Sequence, residues 1–301
     1  MASSRWSILA ASVFALLIAL VVAHASPGAP APPRSIVFSA HPDGSGPAQL
    51  FRVQTTGEGL EQITTGRRAA SAPAFSPDGK RIVFVRLGSG IFRVNLDGTG
   101  LRRLTWGVRD SYPVWSPDGK RIAFVRRYRA QWRVHVMSAS GRQQRRLPLA
   151  PPAGRPSWTA GGKGIFIPAA ADLVRIDSRS GKVQKYYGLT LDIVTAQTAT
   201  VSPGARRIAY VGPRVSTGPE DCGEGPCPQF GLYLASVPAP HRPRRIVNDT
   251  GPAGWSPDGA TLVFVSQGAL TLWAVGSGKR AAIASGPQVP TGDAPPAWQP
   301  R

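Results

Sequence analysis

Histidine, cysteine and acidic side chains are scarce: the 301 residues hold four His, two Cys and 16 Asp plus Glu. His24, His41, His135 and His241 are widely separated, so only a fold that gathers distant segments around one channel brings them together. Two thiols with no nearby His give too few ligands for an ordinary structural zinc site. The sequence has no G-x-S-x-G elbow, no H-E-x-x-H helix and no G-K-[ST] phosphate loop, which removes the motif-based grounds for a serine hydrolase, a zinc peptidase or a nucleotide-binding enzyme. Long apolar runs are also missing apart from residues 8–23, and those sixteen residues fall short of the roughly 20 that cross a bilayer comfortably. Hydrophobic residues still make up 42% of the chain, too many for a disordered polymer.

What the chain has is Arg, Gly and Pro. Lys plus Arg number 36, giving a formal charge of +20, and the 34 Gly and 30 Pro recur between short apolar runs, which is the punctuation of many short strands. Arg5, the apolar run and the small-x-small sequence Ala23-His24-Ala25 predict a signal peptide over residues 1–25, cleaved after Ala25; a retained N-terminal membrane anchor is the alternative. No Cys lies near that point, so a lipid-modified N-terminal Cys is not available. Residues 26–34, rich in Pro and Ala, read as a tether before a folded domain over 35–301. Export makes nucleic acid a poor partner. It points instead to an envelope or extracellular protein, or to an anionic surface polymer, with a genome-wide preference for Arg as the bland explanation of the charge.

The strongest signal is internal. Pro73-Ala74-Phe75-Ser76-Pro77-Asp78-Gly79-Lys80-Arg81-Ile82-Val83-Phe84-Val85 returns as Pro113-Val114-Trp115-Ser116-Pro117-Asp118-Gly119-Lys120-Arg121-Ile122-Ala123-Phe124-Val125. Weaker copies surround Trp158, Val201 and Trp255, and a final Trp298 completes markers spaced by 40, 43, 43, 54 and 43 residues. Each unit predicts a strand ending at the marker, a turn, an alternating apolar strand, a looser strand such as 91–96 and a last strand such as 101–105. In the turn Pro presets one angle, Asp bonds its own backbone and Gly accepts a positive φ. Asp78, Gly79, Asp118, Gly119, Asp258 and Gly259 are therefore structural residues. The recurring Trp115, Trp158, Trp255 and Trp298 are assigned to packing around an inner ring.

Four strands in about 43 residues make one propeller blade. The folded region begins with a second-strand pattern, residues 35–39, and closes with a first-strand pattern around Trp298, so the two halves complete one blade. The expected fold is all-β: a monomeric six-bladed β-propeller of four-stranded antiparallel blades, closed by the C-terminal strand pairing with the N-terminal blade. On these repeats, residues 35 to 300 resemble the TolB-like propeller family with its WD40-like, or PD40, repeat. The resemblance implies an extracytoplasmic propeller used in protein contacts. No α/β domain precedes the first blade and no α/β-hydrolase domain follows the last, so neither a Tol-system role nor a fused peptidase is expected.

The 54-residue spacing places an insertion between Val211 and Phe230 that holds Cys222 and Cys227, read as a local disulfide in an exported chain. That insertion shares a face with the loops between blades. The same face should carry Arg67, Arg68, Arg109, Arg126, Arg127, Arg129 and Arg214, with Tyr128 and Trp132 among them as stacking side chains. Arg102, Arg103, Arg145, Arg146, Arg244 and Arg245 fall in outermost strands, where charge discourages edge pairing. No cofactor is predicted. Asp110, Asp172, Asp192 and Asp293, near the same face, offer a hard cation such as Ca²⁺ a site without any recognised spacing. The functional expectation is a non-catalytic secreted or envelope-associated scaffold engaging a protein or anionic polymer through its basic face. The alternative is a metal-dependent hydrolase or lactonase at the channel.

Overall fold

This computed structural model of the chain describes residues 34–42, 44, 46–129, 131–148, 155–169, 172–188, 199–213, 230–237, 243–248, 250–285 and 294–300, all within the unit Pro33–Arg301. The signal-peptide region, most of the tether, Arg214, Cys222, Cys227, Asp192, Asp293 and His241 lie outside the described residues. Among the described residues no helix is long and apolar enough to cross a membrane.

Strands β1 (Ser35–Ala40), β2 (Gln49–Gln54) and β3 (Glu61–Gln62) belong to blade 1. Blade 2 holds β4 (Ala70–Phe75), β5 (Arg81–Arg86), β6 (Gly90–Asn95) and β7 (Arg102–Arg103), and blade 3 holds β8 (Asp110–Trp115), β9 (Arg121–Tyr128), β10 (Gln131–Ser138) and β11 (Arg145–Arg146). Blade 4 runs through β12 (Ser157–Trp158), β13 (Gly164–Ala169), β14 (Asp172–Asp177) and β15 (Val183–Gly188). Blade 5 takes β16 (Thr200–Val201), β17 (Arg207–Pro213), β18 (Phe230–Ser236) and β19 (Arg244–Asn248). Blade 6 takes β20 (Gly254–Trp255), β21 (Thr261–Ser266), β22 (Ala269–Ala274) and β23 (Arg280–Ser285), and β24 (Ala297–Trp298) returns to blade 1. The sheets are six four-stranded antiparallel blades, and the first has the order β24-β1-β2-β3. This is the six-bladed, strand-closed propeller that the repeat spacing predicts. The outermost strands of blades 1 to 3 are shorter than the 101–105 pattern suggests, with only Arg102 and Arg103 pairing with β6 in blade 2, whereas β15, β19 and β23 reach the expected length.

Each second strand is apolar on both faces because a blade is packed on both sides. Ile82 and Phe84 of β5 point to blade 1, where Val37 and Leu50 wait, while Val83 and Val85 meet Ile122 and Phe124 of blade 3. Ala123 and Val125 of β9 then pack on Ile165 and Ile167 of blade 4. Ile36 and Phe38 close the circle against Val263 and Val265 of blade 6. The core is thus a set of apolar seams between blades. One strand face alone would leave its partner face wet.

The turns fold as the sequence requires. In blade 2 the Ser76 hydroxyl donates to Asp78 Oδ1 at 2.5 Å, the Arg81 amide donates back to Ser76 Oγ at 2.9 Å, and Gly79 sits at φ 67°. Blades 3 and 6 repeat this with Ser116 and Asp118, and with Ser256 and Asp258. In blade 5 Ala205 occupies the glycine position at φ 52°. The ring is latched at its seam: Ile36 lies opposite Trp298, Ser35 and Gln299 exchange hydrogen bonds, and Gln299 Nε2 donates to the Gly79 carbonyl at 3.3 Å.

Candidate functional site

Consecutive antiparallel strands put the Ser-Pro-Asp-Gly turns on one face, the turn face, and the blade-to-blade connections with the second-to-third strand hairpins on the other, the loop face. Arg67, Arg68 and Arg109 lie exposed in the connections leading to β4 and β8. Arg127, Tyr128 and Arg129 lie exposed at the tip of the β9–β10 hairpin, with Arg129 in the left-handed region at φ 53°. The topology therefore gathers these expected residues on the loop face of blades 2 and 3.

Backbone carbonyls and rings hold these cations. Arg68 donates to the Leu87 and Gly88 carbonyls at 3.4 and 3.3 Å, and Arg103 donates to the Ser89 and Thr105 carbonyls while its guanidinium lies 3.8 Å from the ring centre of Trp106. Trp106 is 77% exposed and Tyr128 is 68% exposed, and Val108, two residues beyond Trp106, and Leu87 in the β5–β6 hairpin are exposed as well. Arg129 stands over Tyr128 and Arg127 over the half-buried Trp132, at 5.7 and 5.8 Å. The result is a surface of exposed indole, phenol and guanidinium groups, the composition that dominates protein-interface hot spots.

Beneath it lies an ion pair. Asp110, only 2% exposed, accepts from Arg126 Nε at 2.5 Å and from Arg126 NH2 at 2.9 Å, and also takes the Thr105 hydroxyl at 2.5 Å. The carboxylate holds the Arg126 guanidinium above its ordinary value. Arg126 is thus on the expected face, but its guanidinium serves Asp110 and Gln144 and so positions the rim. His135, on the neighbouring strand, stacks on Phe124 at 5.3 Å. Burial first, then Arg126, push its pKa down to about 4, with Asp110 opposing. It is a neutral packing residue, as its place between Val134 and Val136 suggests.

The turn face opens into the channel through a cup of about 360 Å³. Trp115, Trp158, Trp255 and Trp298 line it with Phe75 and Val201, one marker from each innermost strand. Pro77, Pro117, Pro203, Pro257 and Pro300 follow two residues after their markers and form the mouth. The rings also bind blade to blade: Trp158 Nε1 donates to the Val114 carbonyl at 3.2 Å and Trp255 Nε1 to the Thr200 carbonyl at 3.1 Å. Arg155 reaches into this cup.

Sequence reasoning missed Trp106 and Arg155. Trp106 carries a readable signal, since it is the one Trp between blades 2 and 3 that lies off the marker position. Arg155 sits three residues before its marker, and only the closed ring shows what it faces. Among the described residues no three His, Cys, Asp or Glu side chains group as metal ligands. Of the four suggested aspartates, Asp110 is engaged by Arg126, and the others lie wholly or by their side chains outside the described residues.

Comparison with known proteins agrees with this geometry. Residues 27–161 match the family described as TolB beta propeller domain, PD40. That match spans somewhat under half of the chain, and the repeat continues around a ring that is a six-bladed β-propeller. The crystal structure of TolB from Acinetobacter baumannii is similar at 18% identity and a TM-score of 0.70, covering 89% of this chain and 67% of that one. A putative TolB from Agrobacterium tumefaciens gives 16% identity and a TM-score of 0.58, over 84% of this chain and 89% of the other. A chain of a nidogen/laminin complex gives 10% identity and a TM-score of 0.61, over 88% and 98%. At these identities the likeness is one of fold. No curated protein matches the sequence.

Proposed function

We propose that this chain is a non-catalytic, exported binding scaffold whose loop face on blades 2 and 3 docks an acidic envelope or extracellular protein. The observation that carries the reading is the exposed Trp106 and Tyr128, with Arg103 stacked on the first and Arg129 on the second, in two segments that Asp110 joins by bonding both Thr105 and Arg126. A large exposed aromatic on a fixed support loses little conformational freedom on binding, and neighbouring guanidinium groups add steering and charge-assisted hydrogen bonds. The signal-peptide pattern, the basic composition and the TolB-like fold support an extracytoplasmic setting. An anionic surface polymer would meet the same cations but would make less use of Trp106. The PD40 propeller itself, and the nidogen/laminin complex that holds a similar chain, are consistent with contacts between proteins.

The test is quantitative affinity capture from a native envelope extract with the wild-type protein, a Trp106→Ala variant and an Arg127→Glu/Arg129→Glu variant that leaves Arg126 in place. A saturable protein partner lost at least tenfold in both variants supports the reading. A partner retained by both, or glycan captured equally by Trp106→Ala and wild type, overturns the proposed protein-docking face.

A further inference from the structure

The cup on the turn face has a charged floor. Arg155 precedes β12 in blade 4, and its NH2 crosses the channel to the Pro73 carbonyl of blade 2 at 3.2 Å. Blade 2 can offer that carbonyl because β4 is bulged. Its register with β5 shifts between Ser71 and Ala74, which leaves Ala72 and Pro73 outside the ladder, with Ala72 at φ 51°. Blade 3 carries the same irregularity, between Ser111 and Val114, with Tyr112 at φ 50°. A left-handed tyrosine is a rare and strained conformation, and bulges of this kind re-aim groups beside binding sites. Ala72, Tyr112 and Arg155 each stand three residues before their markers, so both strained positions and the cation share one level of the channel.

The walls above that level are mostly indole, phenyl, valine and proline, with Ser157 and Thr200 among them, and among the described residues the cup's lining contains no acidic side chain. Among the described residues no carboxylate pairs with Arg155. Burial pushes the guanidinium down to about 10, so it stays charged at neutral pH, with no described carboxylate to balance it. A single planar fork at the base of an apolar cup fits a carboxylate better than a polyanion, which would leave its further charges facing proline and tryptophan. The volume is that of a small-ligand pocket.

We propose that this cup is a binding site for a carboxylate carried on an apolar group, with the carboxylate on Arg155 and the apolar group against the ring of tryptophans. It is separate from the loop-face surface and stands or falls independently of it. Two sources share this chemistry, a small organic acid and the C-terminus of a peptide.

The purified chain is titrated with 3-phenylpropionate, 3-phenylpropionamide, the tripeptide Ala-Ala-Phe and its C-terminal amide, reading tryptophan fluorescence and calorimetric heat. At least one acid should bind saturably and tenfold or more tighter than its own amide, and whichever acid does so identifies the source. Arg155→Met should bring that acid to the level of its amide, with Arg155→Lys between them, while circular dichroism confirms folding. Should Arg155→Met fail to fold, the acid–amide comparison on the native chain decides alone. Equal binding of acid and amide, no saturable binding of any probe, or unchanged acid binding by a folded Arg155→Met protein overturns the site.

Discussion

Arg126 grips both oxygens of Asp110 from the strand beside it, and the two residues are direct cross-strand partners in the β8–β9 register. The carboxylate is buried and, among the described residues, its only other side-chain partner is Thr105, so the pair cannot be dismantled from one side without leaving an orphaned charge. Arg126→Met should destabilise the protein by about 3–5 kcal/mol, measured by urea unfolding. Gly107→Ala should act on the same pair, since an added Cβ would lie 2.4 Å from Asp110 Oδ1. A loss below about 1 kcal/mol in Arg126→Met would mean that the pair is solvated.

His135 gives an acid-sensitive stability. Its folded pKa of about 4 lies below the usual 6.5, so the unfolded chain takes up a proton first. Stability is therefore full above pH 6.5, falls as pH drops from 6.5 to 4, and levels off below that for this group. Arg126, Asp110 and Arg146 are the charged groups acting on it. After discounting for partial exposure, the loss is on the order of 1–2 kcal/mol. His135→Phe preserves a ring against Phe124 and should flatten this part of the urea midpoint against pH. An unchanged slope would remove His135 as its cause.

The turn aspartates act lower on the pH scale. The Ser76 and Ser116 hydroxyls, before any other cause, hold Asp78 and Asp118 below the ordinary carboxylate value. Their contribution is present above the unfolded value near 3.8 and is lost as pH falls through the lower folded value. Asp118→Ala should cost about 1 kcal/mol near neutrality through the lost turn hydrogen bonds. Ala205→Gly should have the opposite sign, gaining roughly 1 kcal/mol by relieving a left-handed alanine. Thermal unfolding of the two variants tests both signs.

Arg121 tests the seams. It spans from blade 3 to blade 4, stacking 4.7 Å from the Trp158 ring centre and donating to the Gly162 carbonyl at 2.8 Å and the Ser178 hydroxyl at 3.1 Å. Arg121→Met should lose about 1–3 kcal/mol, and Arg121→Lys should recover only part of it, because an ammonium cannot stack and fork at once. Equal stability of Met and Lys variants with wild type would show the seam to be held by apolar packing alone.

The blade count and its closure were legible because they depend on spacing, and a half-blade around Ile36 needs the half-blade around Trp298 whatever lies between. The turns were legible too, since Ser, Pro, Asp and Gly each have one local job there. The candidate surface was legible in part. Arg127, Tyr128 and Arg129 follow from one hairpin, whereas Arg126 differs from them only through Asp110, sixteen residues earlier and opposite it in the sheet. The bulges at Ala72 and Tyr112 leave no local trace, because neither residue favours a positive φ. Arg155 became meaningful only when ring closure put Pro73 across from it.

Arg86, Arg145, Arg155 and Arg280, like Arg121, fasten one part of the ring to main-chain carbonyls of another, at Thr65, Ser178, Pro73 and Ile246. Every residue type brings a carbonyl, so the receiving side of such a joint makes no demand on its own side chain. The side chain at the receiving position can therefore change without breaking the joint, which leaves these seams tolerant of substitution on the carbonyl side.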